Sequence, residues 1–121
     1  MKLHYRILGE GVPILILHGL FGMSDNWQSF ARNLADNGFK VFLPDLRNHG
    51  HSPHDNFHSY PLMAQDIAGL IEENQLHSPV ILGHSMGGKA GLQLLNENPG
   101  LIQKAIVVDI APWQYPIHHR E

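Results

Sequence analysis

The chain predicts an α/β fold: a mostly parallel sheet flanked by helices. Three observations carry that expectation. Short continuous apolar runs recur, of the length and composition of strands covered on both faces. Segments with apolar residues at helical spacing separate these runs, and such alternation indicates a parallel sheet with right-handed crossovers. The residues best suited to chemistry, His18, Asp45, Ser85 and Asp109, each fall at or just past the end of an apolar run. The carboxyl ends of the strands are where open α/β sheets bind ligands.

Residues 2–8 alternate roughly and stop at Gly9-Glu10-Gly11, which reads as a first strand and a turn. Pro13 to Leu17 is the first buried strand and runs into His18-Gly19-Leu20-Phe21-Gly22. Ser24-Asp25-Asn26 offers N-cap chemistry to a helix carrying Trp27, Phe30, Ala31 and Leu34, which Asn37-Gly38 closes. Phe39 to Leu43 is the second buried strand, stopped by Pro44 and followed by a polar loop, Asp45 to Pro53. Ser59 and Pro61 open the next helix, whose apolar face is Met63, Ile67, Leu70 and Ile71. Pro79 to Leu82 is the third buried strand. A helix over 86–97 follows, with Met86, Ala90 and Leu94 on one face, and Asn98-Pro99-Gly100 ends it. Residues 104–109 form a fourth buried strand, and 111–116 read as loop.

Composition narrows the function. The 121 residues fit one domain, and 43% apolar content is enough for a core. A net charge of −3 and no basic run argue against nucleic-acid binding. The absence of cysteine excludes disulfides and thiolate metal sites. The start, Met-Lys-Leu-His-Tyr-Arg, lacks the apolar core of a signal peptide, and no segment reaches transmembrane length. The expectation is a cytoplasmic protein with no membrane partner. Among the ten histidines, His49, His51, His54 and His58 cluster. Without an accompanying His-Glu-x-x-His pattern they read as a polar loop rather than a metal site. No metal and no cofactor is expected.

Gly83, Ser85 and Gly87 fit G-x-S-x-G, the sharp strand-to-helix turn that lifts a serine hydroxyl above a sheet. Small residues two places before and after the serine are what that turn requires. The helix start beneath Ser85 favours developing negative charge.

With the elbow stand Leu-His-Gly-Leu-Phe-Gly after the first buried strand, Asp-Leu-Arg-Asn-His-Gly after the second and Val-Val-Asp-Ile-Ala-Pro after the fourth. In this order the pieces resemble the α/β-hydrolases, and within them the small YbfF-type bacterial esterases. The resemblance implies a serine hydrolase that cleaves small carboxylic esters or thioesters through an acyl-enzyme. Ser85 would be the nucleophile and Asp109 the acid of the triad. The backbone N–H of Met86 and that of Leu20, or alternatively Phe21, would form the oxyanion hole. Gly19 would let the backbone approach the substrate. His18 would order the oxyanion loop, Asp45 and Arg47 would hold their own loop, and His84 would serve packing.

The resemblance also implies an incompleteness. The triad histidine of such enzymes comes from a loop after a final strand, and His118 and His119 stand where a lid would begin. Residues 1–121 would therefore be the N-terminal portion of one α/β-hydrolase domain, truncated before the lid and last strands, with the lid starting at about 111–121. An isolated chain of this extent is expected to lack activity. It should also leave 105–108 on an open edge, and so self-associate, pair with a complementary C-terminal fragment, or aggregate. Two alternatives stay open: a non-catalytic half-domain acting as a pseudoenzyme or binding module, and a lyase, haloperoxidase-like or C–C hydrolase activity on the same fold.

Overall fold

The computed structural model describes residues 1–19 and 27–108. In chain order the elements are β1 (Tyr5–Leu8), β2 (Val12–Leu17), α1 (Gln28–Ala35), β3 (Phe39–Pro44), α2 (Tyr60–Glu73), β4 (Val80–His84), α3 (Met86–Glu97) and β5 (Lys104–Val108). The strands form one sheet in the order β1-β3-β2-β4-β5. β2, β3, β4 and β5 run parallel, and β1 lies antiparallel to β3 at the edge. The predicted α/β architecture is thus the one that forms.

β1 departs from the sequence expectation in extent. It begins at Tyr5 rather than residue 2, and the turn at Gly9 (φ 77°) and Gly11 (φ 121°) does not pair it with β2. β3 enters between them. A Cβ on Gly9 would come within 2.4 Å of the Phe39 carbonyl oxygen, so this turn leaves room only for glycine where it meets β3.

Alternation along the strands assigns each side chain to a layer. Ile14 and Ile16 of β2, with Val41 and Leu43 of β3, pack against Ala31 of α1. Leu15, Leu17, Phe42 and Ile81 point to the opposite face, where α2 and α3 lie over them. The face read for α2, Met63, Ile67, Leu70 and Ile71, is buried, as are Met86, Ala90 and Leu94 of α3. Burying side chains of this size stabilises by about 1.5–3 kcal/mol each. α1 starts at Gln28, with Trp27 at its N-cap and no side-chain capping bond. Ser24, Asp25 and Asn26, which carry the predicted cap, lie outside the described residues. α2 starts as predicted, with the Ser59 hydroxyl accepting from the Leu62 N–H at 3.2 Å.

β5 differs from the buried strand that its composition predicts. It is the outer strand of the sheet among the described residues, and Ile106 and Val107 are 44% and 42% exposed. Their side chains alternate, so neither face of β5 is fully covered.

Candidate active site

The elbow closes as tightly as its glycines require. Ser85 has φ 55° and ψ −109°, a backbone conformation that L-residues rarely hold. Such a conformation costs about 1–3 kcal/mol and persists only when its surroundings enforce it. Here they do. A Cβ on Gly83 would come within 2.5 Å of the Gly87 carbonyl oxygen, and one on Gly87 within 2.2 Å of the Leu17 carbonyl oxygen. The Ser85 N–H donates to the Val108 carbonyl at 3.1 Å, clipping the turn to the end of β5. Gly88 faces Val107, whose Cγ1 would lie 2.7 Å from an added Cβ, so α3 and β5 approach closely beneath the serine.

A serine at the N-cap of a helix ordinarily accepts from an N–H of the first turn. The Ser85 hydroxyl makes no such bond. It is exposed and opens into a cleft of about 600 Å³, where Ser59, Tyr60 and Met63 of α2 face Ser85, Met86 and Lys89 of α3. The first N–H groups of a helix lack intrahelical acceptors, and that of Met86 lies directly after the serine.

His18 is buried at the carboxyl end of β2. Its Nε2 accepts from the Leu46 N–H at 2.9 Å, which leaves the proton on Nδ1, and Nδ1 donates to the Gly19 carbonyl at 2.8 Å. One imidazole thereby ties the segment after β2 to the loop after β3. Burial holds its pKa below the ordinary histidine value, and the neighbouring His49, with ring centroids 5.3 Å apart, pushes the same way. Gly19 serves the same region through what it lacks: a Cβ there would lie 2.7 Å from Nδ1 of His84. The His84 ring packs against Trp27 at 5.7 Å between centroids.

The loop after β3 wraps around Asp45, whose Oδ2 accepts from the His51 N–H at 3.0 Å and whose carbonyl accepts from the Ser52 hydroxyl. Arg47 carries the loop to α2. Its Nε and Nη2 reach both carboxylate oxygens of Asp66 at 2.7 and 2.9 Å, and its Nη1 donates to the Phe57 carbonyl at 3.1 Å. The bond to Asp66 raises the guanidinium pKa further above its ordinary range. Asp66 was missed by sequence reasoning, although a lone acid between Met63 and Ile67 on an apolar helix face is the signal that a buried cation pairs with it.

The clustered histidines form ring contacts. His49 and His58 lie 6.0 Å apart between centroids, and His4 and His51 lie 5.0 Å apart. Among the described residues no group of three histidine or acidic side chains is arranged to hold a metal. His58 borders the serine cleft, but its Nδ1 accepts from the Asn48 side-chain amide at 3.1 Å. The amide is fixed in turn by the Asp55 N–H on its oxygen. Neutral His58 therefore carries its proton on Nε2 and offers no free lone pair.

Of the predicted site residues, Ser85, Met86 and Gly19 sit together at the carboxyl ends of β2 and β4. Leu20, Phe21 and Asp109 lie outside the described residues, as do His118 and His119. Residues 12–120 match the α/β-hydrolase fold family. The chain belongs to that family.

Its relatives within the α/β-hydrolase fold include an sn-1-specific diacylglycerol lipase of Xenopus tropicalis, 45% identical over 103 residues, covering 84% of this chain and 32% of the lipase. Esterase YbfF of Escherichia coli is 40% identical over 109 residues, covering 90% of this chain and 42% of the esterase. Among solved structures, a marine microorganism esterase superposes with a TM-score of 0.87 at 48% identity, covering 93% of this chain and 43% of that one. The chain thus spans about a third of the length of the first of these curated relatives and well under half of the second. Among the described residues, no helix is long and apolar enough to cross a membrane.

Proposed function

We propose that the whole protein is a serine hydrolase of small carboxylic esters or thioesters, with Ser85 as its nucleophile. The observation that carries this reading is the state of Ser85: its backbone is strained at φ 55°, and its hydroxyl opens to a cleft and is unused as a helix cap. The names of the esterase and lipase relatives support it. In this reading the Ser85 Oγ attacks the acyl carbon while its proton passes to an imidazole. The Met86 N–H and a second N–H from Leu20 or Phe21 hold the oxyanion. The alkoxide or thiolate then leaves with the proton, and water releases the acid from Ser85. Asp109 orients the imidazole and stabilises its cationic form. The imidazole belongs to a later part of the protein, beyond a lid that begins at about 111–121.

A fluorophosphonate probe tests the nucleophile. Labelling of the whole protein is expected at Ser85, to be abolished by Ser85→Ala and to persist in His58→Ala. Equal labelling of Ser85→Ala would return Ser85 to a turn residue and the chain to a non-catalytic reading. Asp109→Asn is expected to lower kcat by orders of magnitude, as the corresponding change in serine proteases costs about 10⁴. A near-normal kcat would move the acid elsewhere.

A further inference from the structure

The cleft at Ser85 does not end there. A second concavity of about 370 Å³, lined by Tyr60, Lys89, Leu92, Gln93 and Asn96, adjoins it, and the two share Tyr60 and Lys89. Lys89 therefore stands at their junction. It follows Ser85 by four residues: its N–H donates to the Ser85 carbonyl at 3.0 Å, one helical turn on, and both residues line the first cleft. The Lys89 side chain is exposed, and among the described residues its ammonium has no ion pair or hydrogen bond. No carboxylate lines either concavity among those residues. Among the described residues the cation thus borders the cleft without a counter-charge, in a chain whose net charge is −3. A fixed charge this close to the reacting carbonyl interacts with charge on the substrate whether or not it touches the bond being broken.

We infer that Lys89 is a specificity-determining residue that selects esters bearing a negative charge, a carboxylate or phosphate placed about one helical turn from the scissile carbonyl. The inference rests on Ser85 being the nucleophile. The anion can belong to the acyl half or to the leaving group; the cation serves either, because it borders both concavities.

Kinetics on the whole protein test this. Four substrates form two pairs: an aryl butyrate against the aryl hemisuccinate, which places a carboxylate in the acyl half, and butyryl-N-acetylcysteamine against butyryl-coenzyme A, which places phosphates in the leaving half. In Lys89→Gln the ratio of kcat/KM for the anionic over the neutral member is expected to fall about tenfold in one pair, and that pair identifies the half. Lys89→Arg is expected to keep the ratio, and added salt to lower it in the native protein. Equal changes on both members in both pairs, or no change, would overturn the inference while leaving the esterase reading intact. No turnover of any of the four esters by the native protein would instead remove the esterase reading, and the role of Lys89 with it.

Discussion

His18 illustrates how much one side chain can do at a strand end. It satisfies a buried N–H on one loop and a carbonyl on another, and it does so only as the neutral Nδ1–H tautomer. Protonation of Nε2 would turn the acceptor for Leu46 into a second donor. The sign of the pH dependence follows. With its folded pKa below the unfolded value of about 6.5, His18 binds more protons in the unfolded chain, so it favours folding above that pH. That contribution is lost as pH falls below 6.5 and through the folded pKa. Urea unfolding of the native protein and of His18→Gln, measured from pH 7.5 to pH 5, should show the native curve falling more steeply. Parallel curves would mean that the imidazole is not held neutral by the fold. That His18 would hydrogen-bond at the end of β2 was legible in the sequence; its link to Leu46 was not, since nothing local predicts which distant N–H a buried imidazole will meet.

At the scale of elements, α2 is held by more than its apolar face. Asp66 receives two hydrogen bonds from Arg47 and one from the Met1 ammonium at 2.8 Å. The carboxylate is buried, and so is Arg47. Removing one partner of such a pair costs about 3–5 kcal/mol, because the other remains buried without compensation. Asp66→Ala should therefore lower the unfolding free energy by that amount. The double variant Asp66→Ala with Arg47→Met should recover part of the loss, since it leaves only the partly exposed Met1 ammonium without its partner. A single variant as stable as the native protein would reduce the bridge to a surface contact. Periodicity revealed the faces of α2 and α3 because burial repeats at 3.6 residues, as Met63, Ile67 and Leu70 do. The direction of β1 and its pairing with β3 were hidden, because a four-residue strand carries no mark of which neighbour will accept its hydrogen bonds. The elbow was legible for the opposite reason: Gly83 and Gly87 are demanded by contacts within the same turn and with the adjacent strand.

At the scale of the whole chain, one margin of the sheet stands out among the described residues. β5 is the outer strand among the described residues, with apolar side chains exposed on both faces and Lys104 its only charge. Exposed apolar edges template pairing with other chains. The 121-residue chain by itself is therefore expected to associate, as seen by size-exclusion chromatography with light scattering. Ile106→Lys should reduce that association, since a charge at the edge opposes pairing. A monomer at all concentrations in both forms would show that residues beyond β5 cover the edge. Composition alone read this strand as buried: four apolar residues in a row look the same in the middle of a sheet and at its margin.

The position of β2 has a consequence for how the chain is made. Leu17 pairs with Gly83, about 66 residues later in the sequence, while β3 closes the other side of β2 much sooner. At synthesis rates of about 5–20 residues per second, Ile14 to Leu17 wait about 3–13 s on the ribosome for the strand that completes their hydrogen bonding. During that interval the future centre of the sheet is an edge, apolar on both faces. A nascent chain stalled between β3 and β4 is the form in which a ribosome-bound chaperone would find the most to hold.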